Sequence, residues 1–239
     1  MHLSIVIPAF NEARKIGADV SAAAEFLVAR GLSGEIIVVD DGSTDDTAGV
    51  ARDAIVPAGV RRLVIRLPAN KGKGAAVREG ILSSAGDYVL FADCGMCVPF
   101  EQSLRGIQMI RSGRCDIAHG SRKLPASRIV LPQSLSRRLL SRVFRLAVGL
   151  LMPIGRGLSD TQCGFKVYRG DVARLLYGQC VIDGFMFDIE VLVRARAMGY
   201  RVAEFPITWI CDRDSRLHPG RTAMNVVREL TRIWRSEML

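Results

Sequence analysis

Carboxylate and amide side chains come directly after three apolar segments in the first hundred residues of the chain. These polar residues are Asn11, Glu12, Asp40, Asp41 and Asp93. If the three segments are parallel strands, their carboxyl ends share one edge of a sheet, where open α/β sheets bind ligands. Carboxylates only accept hydrogen bonds, so two adjacent acids suit the hydroxyls of a ribose or an N–H edge of a base. A single Asp at such a place can equally cap a turn.

A basic, glycine-containing turn lies between the second and third of these clusters. Lys71–Gly74 offers backbone N–H groups, two ammonium groups and the start of a helix, which together can seat a diphosphate. The spacing is not that of a P-loop. A solvated basic turn is the alternative interpretation.

The elements that must position these residues alternate between strand and helix. Apolar runs predict strands at 3–8, 35–39, 63–67 and 88–92, and helical spacing predicts helices from about 11 to 30, 46 to 54 and 75 to 84. Later segments predict strands at 115–119, 165–168 and 201–209. The strands are apolar on both faces, as in a parallel sheet covered by helices. The sequence therefore predicts an α/β fold with a mostly parallel, Rossmann-like central sheet and helices on both faces.

Seven motifs, in order, resemble those of family 2 glycosyltransferases with the GT-A fold. The first four are VIPAFNE, IIVVDDGSTDDT, NKGKGAAVREG and GDYVLFAD. GSR at Gly120–Arg122, DTQCGFK at Asp160–Lys166 and GFMFDIEVL at Gly184–Leu192 are similar to those of polyprenyl- or dolichyl-phosphate sugar transferases, of the dolichyl-phosphate glucosyltransferase type. The resemblance covers Leu3 to Trp209. It implies one GT-A domain over residues 1–239, with a nucleotide-binding half at 1–95, an acceptor half at 96–210 and a C-terminal loop and helix at 211–239.

The resemblance also implies a nucleotide-sugar donor, UDP-glucose or GDP-mannose, and assigns residues to it. Those that contact the donor would be Pro8, Phe10, Glu12, Asp40, Asp41, Lys73 and Asp93. Asp93 would be the first acid of the family's D-x-D motif, which holds the ribose and a divalent metal, Mg²⁺ or Mn²⁺, that bridges the diphosphate.

The sequence departs from this motif at Gly95, where the family usually has a second acid. Since a hard divalent cation prefers several oxygen ligands, one carboxylate makes a weak site. Three interpretations follow: a metal held by Asp93 with another residue, for which His218 is a candidate; a metal-independent enzyme whose basic residues stabilise the leaving diphosphate; or a protein that binds nucleotide sugar without turnover.

On the acceptor side, the resemblance implies that Asp160 and Gln162 line the sugar and acceptor. Asp188 aligns with the general base of relatives that use a hydroxyl acceptor. A phosphate acceptor needs no strong base, so Asp188 would then orient the substrates, and it can also cap a helix. Four arginines are candidates for binding an acceptor phosphate through their guanidinium groups: Arg122, Arg128, Arg137 and Arg138.

A strongly basic block separates the two parts of the acceptor half. Eight Lys and Arg residues and no acid lie between Ile117 and Ser159, in a chain of net charge +9. Within it, residues 133–152 show apolar side chains at helical spacing flanked by arginines. This segment is either an ordinary core helix with a solvated basic face or a helix lying on an anionic membrane surface. Few aromatic residues are interleaved with the basic ones, and no groove-reading motif occurs, so the pattern does not indicate nucleic-acid binding.

The function expected from these features is inverting transfer of a hexose to a polyprenyl-phosphate lipid. A soluble hydroxyl acceptor is the alternative. Met1–His2 leads directly into an apolar strand, so we expect no signal peptide, and six scattered cysteines suggest reduced thiols. No uncharged apolar stretch is long enough to span a bilayer. We therefore expect a cytoplasmic protein, peripheral at the inner face of the plasma membrane.

Overall fold

Strands and helices alternate along the first half of the chain, as the sequence predicts. The computed structural model describes residues 2–130, 158–210 and 228–234. The strands are β1 His2–Ala9, β2 Ser33–Asp40, β3 Arg61–Arg66, β4 Tyr88–Ala92, β5 Ile117–Ser121, β6 Arg128–Ile129, β7 Phe165–Arg169, β8 Val202–Pro206 and β9 Thr208–Trp209. The α-helices are α1 Ile16–Ala29, α2 Thr47–Asp53, α3 Lys73–Leu82, α4 Ser103–Arg111, α5 Gly170–Gln179 and α6 Phe187–Ala197. A 3₁₀ turn at Phe100–Gln102 precedes α4, and residues 228–234 are helical.

A seven-stranded sheet with the order β3-β2-β1-β4-β7-β5-β8 forms the centre of the fold. Strand β7 runs antiparallel to its neighbours β4 and β5, and the other pairs in this sheet are parallel. A short parallel pair, β6 with β9, lies apart from it. The predicted α/β class with a mostly parallel central sheet is confirmed.

Helices cover both faces of the sheet because its central strands are apolar on both faces. On β1, Ile5 and Ile7 pack with α1 on one face, whereas Val6 packs on the other face with α3. Helices α2 and α4 join the first layer, and α5 and α6 join the second. This two-sided burial fixes the direction in which each strand ends, and it places the polar strand ends at the carboxyl edge.

Two predicted element boundaries are wrong. Helix α1 begins at Ile16 rather than near Asn11, because Asn11 has φ 55° and the backbone makes a turn, closed by Lys15 N donating to Glu12 O at 2.9 Å. The predicted strand at 201–209 is divided into β8 and β9, which belong to different sheets. Pro206 ends β8, and the carbonyl of Ile207 accepts a hydrogen bond from Arg128 N at 2.9 Å, so the chain turns to pair with β6.

Part of the predicted acceptor half lies outside the described residues. The basic segment 133–152 belongs to this part, as do Arg137, Arg138 and His218. Within the ranges that the structure describes, no helix is both long and apolar enough to cross a membrane. The division of residues 1–239 into a nucleotide half and an acceptor half stays a prediction.

Candidate active site

The loops that follow β1, β2 and β4 meet at one edge of the sheet. The loops after β1 and β2 are joined directly, since Asn11 N donates to Ser43 Oγ and Thr44 N donates to Asn11 Oδ1, both at 2.8 Å. Asp41 N donates to Ala9 O, also at 2.8 Å. The positive φ of Asn11 makes this reciprocal contact feasible, because amide side chains tolerate the left-handed region. The structure therefore brings together the polar clusters that the sequence singled out.

Asp40 and Asp41 are both buried and both hold neighbouring loops in place. The carboxylate of Asp41 accepts Lys71 N at 2.8 Å and Gly72 N at 2.9 Å, so it fixes the basic turn. Asp40 accepts Ser43 N at 2.9 Å and pairs with Arg66 at 3.4 Å. Burial raises the pKa of Asp41 above its ordinary value, although the two N–H donors lower it. Contact of Asp40 and Asp41 with the base and ribose stays a prediction. The contacts described here hold neighbouring loops of the protein in place.

The other predicted base and ribose contacts lie along the end of β1. Pro8 is buried within the strand, whereas the Phe10 ring, just beyond it, is exposed. Glu12 is half-buried; its backbone N–H donates to Thr47 Oγ1 at 2.8 Å, and its carboxylate lies 3.7 Å from Lys15 Nζ. Of these three residues, Phe10 presents the most accessible apolar surface at the edge.

Asp93 and Lys73 form an ion pair at the centre of this edge. Lys73 Nζ lies 2.7 Å from Asp93 Oδ1, and it also lies 5.5 Å from the centre of the Phe91 ring. Asp93 N donates to Gly164 O at 2.8 Å, and a Cβ at Gly164 would collide with the Asp93 carboxylate. Burial lowers the pKa of Lys73, but the negative charges of Asp93 and Asp188 outweigh this effect and hold the pKa above its ordinary value.

A second ion pair lies behind the first. Lys166, fully buried on β7, pairs with the buried carboxylate of Asp188 at the start of α6. Burial raises the pKa of Asp188, while Lys166 and Lys73 oppose the shift. Lys166 belongs to the DTQCGFK motif but was not assigned a role from the sequence. A lysine inside an otherwise apolar strand was the signal that it pairs with an acid.

Asp19 is a further residue that sequence reasoning missed. Its carboxylate is 1% exposed and accepts three hydrogen bonds, each 2.8 Å long, from Cys94 Sγ, Gly95 N and Met96 N. Burial raises the pKa of Asp19, and these three donors lower it. An acid within the apolar stripe of a predicted helix was the available signal. Asp19 therefore holds the loop that begins with Asp93.

On the predicted acceptor side, Arg122 and Asp160 bind each other. Arg122 Nε and Nη2 each lie 2.7 Å from a carboxylate oxygen of Asp160. The guanidinium also lies 5.4 Å from the centre of the Trp209 ring. Burial raises the pKa of Asp160, but the adjacent Arg122 outweighs this effect and holds the pKa below its ordinary value. Glu204 accepts Asp160 N at 2.7 Å and completes the cluster.

Arg128 and Gln162 occupy different surroundings. Arg128 is exposed on β6, and Gln162 is half-buried in the turn that precedes β7. Two of the Arg122 donors already bind Asp160, and Arg122 is half-buried. Arg128 is exposed and is therefore the more accessible of the two arginines. The binding of an acceptor phosphate by Arg122 and Arg128 stays a prediction, and so does the lining of the sugar and acceptor by Asp160 and Gln162.

His119 lies inside the fold rather than at the edge. It is 1% exposed, and within the described part of the chain neither of its ring nitrogens has a hydrogen-bond partner. Its ring is 6.5 Å from that of Tyr168, and it pairs in register with Lys166. Burial, with a smaller contribution from Lys166, holds the pKa of His119 well below its ordinary value.

The described residues do not by themselves form a metal centre. Nowhere in residues 2–130, 158–210 and 228–234 do three His, Cys, Asp or Glu side chains gather so that they could hold an ion. Asp93 pairs with Lys73, Asp188 pairs with Lys166, and Gly95 contributes an N–H group rather than a carboxylate. Divalent cations require several oxygen ligands, which this set does not supply.

Sequence comparison places the chain among sugar-transferring proteins. Residues 4–173 match the profile of the family described as Glycosyl transferase family 2. The dolichyl-phosphate beta-glucosyltransferase of Dictyostelium discoideum is 32% identical over 98% of this chain and 74% of its own length. The protein of the same name from Homo sapiens is also 32% identical, over 98% of this chain and 78% of its own length.

Structural comparison gives the same fold. Glucosyl-3-phosphoglycerate synthase from Mycobacterium tuberculosis, in complex with Mg²⁺ and uridine diphosphate, has a TM-score of 0.71. It is 20% identical and covers 98% of this chain and 78% of its own. The same enzyme with Mn²⁺, UDP-glucose and phosphoglyceric acid has a TM-score of 0.70 at 20% identity, over 97% of this chain and 78% of its own. A likeness at this level of identity concerns the arrangement of strands and helices.

Proposed function

Since the chain belongs to glycosyl transferase family 2, we propose that it moves a hexose from a nucleotide sugar to a polyprenyl-phosphate acceptor. One observation carries the proposal: relatives that are 32% identical over 98% of the chain are dolichyl-phosphate beta-glucosyltransferases. This similarity favours UDP-glucose as the donor, with GDP-mannose as the competing one. The ion pair of Lys73 and Asp93, next to the basic turn, supports a site for the donor diphosphate.

The proposed reaction is a displacement at the anomeric carbon of the donor sugar. An acceptor phosphate oxygen forms the new bond to that carbon while the bond to the nucleoside diphosphate breaks, so the configuration inverts. The electron pair of the broken bond leaves with the diphosphate. Positive groups placed beside the leaving oxygen stabilise the charge that develops there, and Lys73, which lies beside Asp93, is such a group.

A phosphate nucleophile suits the state of Asp188. A phosphate monoester is anionic at neutral pH, with its second pKa near 6, so it needs no general base. Asp188 is buried and already paired with Lys166, an arrangement that favours a positioning role over proton transfer. We expect it to orient the donor sugar.

A divalent cation accompanies uridine diphosphate in one solved structure of similar fold and UDP-glucose in the other. The described residues of this chain do not match such a centre, because nowhere among them do three carboxylate, histidine or cysteine side chains gather to hold an ion, and Asp93 is paired with Lys73. Ligands from the diphosphate or from the part of the chain beyond the described residues would be needed. The displacement proposed above therefore contains no metal-dependent step.

Sugar transfer is tested by incubating the full chain with UDP-glucose, GDP-mannose and other nucleotide sugars, and detecting a glycosylated polyprenyl phosphate by mass spectrometry. Asp93→Ala is expected to lower the rate by about 100-fold or more, since it removes the acid at the centre of the site. Asp87→Ala is the matched control: Asp87 precedes the same strand, at its opposite end, and its carboxylate accepts His2 N at 2.8 Å. Transfer to a soluble sugar or polyol instead of the lipid would contradict the proposed acceptor. Binding of nucleotide without any transfer would contradict catalysis.

Membrane association is the second part of the proposal. The basic segment is expected to draw the protein to anionic lipid through its arginines, at about 1 kcal/mol for each charge near the surface. Replacing Arg137, Arg138, Arg142 and Arg145 with Gln should reduce sedimentation with anionic vesicles while leaving nucleotide binding intact. Equal vesicle binding by the variant and the original chain would contradict the membrane role.

A further inference from the structure

Asp93, the partly exposed acid at the centre of the site, already has a cation beside it. Lys73 Nζ lies 2.7 Å from Asp93 Oδ1, and the side chains of the two residues are 26% and 34% exposed. Both can therefore be reached by a ligand. Lys73 is the first residue of α3 and follows the turn that Asp41 holds through Lys71 N and Gly72 N. The backbone N–H groups of Lys71 and Gly72 thus bind Asp41, and the ammonium group of Lys73 is the part of this turn that faces Asp93.

The loop that follows Asp93 donates hydrogen bonds to the carboxylate of Asp19 and has a glycine, Gly95, where a second acid would stand. Gly95 has φ 98°, a conformation that L side chains rarely adopt, and its N–H points to Asp19 Oδ2 at 2.8 Å. Met96 N donates to the other oxygen of Asp19 at 2.8 Å. An acid placed at position 95 would be strained and would lie beside a second carboxylate. The loop therefore cannot readily provide a second metal ligand.

The remaining charges near Asp93 balance each other. Asp188 is buried and pairs with Lys166, and Arg122, whose charge interacts with that of Asp93, pairs with Asp160. A divalent cation bound to Asp93 would lie beside the ammonium of Lys73, and the two positive charges would repel each other. An incoming diphosphate is attracted by that ammonium, and its oxygens can share the ammonium with Asp93, whose negative charge Lys73 offsets.

We propose that Lys73 is the resident cation of the donor site, and that this chain binds nucleoside diphosphates through it without a divalent metal. The inference rests on the proposed function and deepens it: Asp93 holds Lys73 in place, and Lys73 provides the positive charge that stabilises the diphosphate in the bound and leaving states.

Calorimetric titration of the full chain with UDP, and separately with GDP, tests the inference without depending on catalysis. In excess EDTA, the dissociation constant of the preferred nucleotide should lie within about threefold of its value with Mg²⁺ or Mn²⁺. Lys73→Met should weaken binding in EDTA by about 10- to 100-fold, the loss expected for a charge-assisted hydrogen bond. Lys73→Arg should keep most of the affinity because it keeps the charge.

Arg111→Met is the matched control, because it removes an exposed positive charge in the last turn of α4, on the opposite face of the sheet from α3. It should bind UDP as the original chain does. Thermal unfolding of each variant establishes that it is folded, and electron paramagnetic resonance of added Mn²⁺ gives an independent measure of metal binding.

A loss of more than about tenfold in nucleotide affinity on adding EDTA, restored by Mn²⁺, would overturn the inference while leaving the proposed function in place. So would a Lys73→Met variant that is folded and binds UDP normally in EDTA. If neither UDP nor GDP binds with or without metal, the proposed function itself fails. These outcomes are distinct, so the two proposals can be judged separately.

Discussion

Replacing Asp19 with alanine tests whether a buried carboxylate holds the loop that carries Asp93. The substitution removes the acceptor of hydrogen bonds from Cys94 Sγ, Gly95 N and Met96 N. A buried donor without a partner costs about 1–3 kcal/mol. Gly95 is only half-buried and Met96 is exposed, so water can replace part of the loss. The lower end of that range therefore applies to each donor, which gives a total of about 2–3 kcal/mol for the variant.

Urea unfolding followed by circular dichroism measures this loss as a lower midpoint with an unchanged slope. Thermal unfolding should show a decrease of roughly 4–12 °C for a chain of this size. UDP affinity should fall as well, because the loop fixes Asp93 beside Lys73. Asp19→Asn keeps one oxygen acceptor, so its effect should be intermediate.

The control is Asp171→Ala, which removes an acid in the first turn of α5 whose side chain is 66% exposed and pairs with Arg169. An exposed pair of this kind contributes at most about 1 kcal/mol. If Asp19→Ala unfolds at the same urea concentration as Asp171→Ala and binds UDP equally well, the loop does not depend on Asp19 and the reasoning is refuted.

Further substitutions at His119, at the pair of Lys166 and Asp188, and at Arg122 test other buried or half-buried groups. His119 stays neutral when folded but binds a proton below about pH 6.5 when unfolded, so stability should fall with acidification by up to about 1.4 kcal/mol per pH unit. Urea midpoints measured from pH 7 to pH 5 should therefore depend less on pH in His119→Leu, and an unchanged dependence would contradict this account. Lys166→Met leaves Asp188 buried and unpaired and should cost about 3–5 kcal/mol in urea unfolding, whereas adding Asp188→Leu should recover much of that loss. If the double variant is less stable than Lys166→Met, the ion pair is not the cause. Arg122→Lys removes the bidentate ion pair with Asp160 and should lower the free energy of unfolding by about 1–2 kcal/mol. An unchanged urea midpoint would contradict this expectation.

The sequence by itself determined the layers of the fold. Segments such as Glu35–Val39 are apolar on both faces, and this pattern suits a strand covered by helices on both sides. Parallel strands joined by helices end at a common edge, so the positions of Asp41 and Asp93 along the chain were enough to predict that they converge. The order of the motifs likewise identified the family, which the comparisons confirm.

Only the tertiary structure decided the partners of these side chains. Lys73 was predicted to face the diphosphate, but its pairing with Asp93 depends on where α3 begins relative to the end of β4. Asp19 was hidden within a helical apolar stripe, and its role appears only because the loop after β4 folds over α1. Helix boundaries near Asn11 also depended on contacts with the next loop.

The physical reason is the short range of the interactions concerned. Periodicity records which face of a strand or helix is buried, and this averages over many residues. A hydrogen bond or ion pair requires its atoms to lie within about 3–4 Å, so it depends on which distant segments become neighbours. The insertion of antiparallel β7 between β4 and β5 sets Gly164 against Asp93 and Lys166 against Asp188. The sequence predicted the elements and the edge where the candidate site lies, and the packing of distant segments determined which carboxylates hold loops and which pair with lysines.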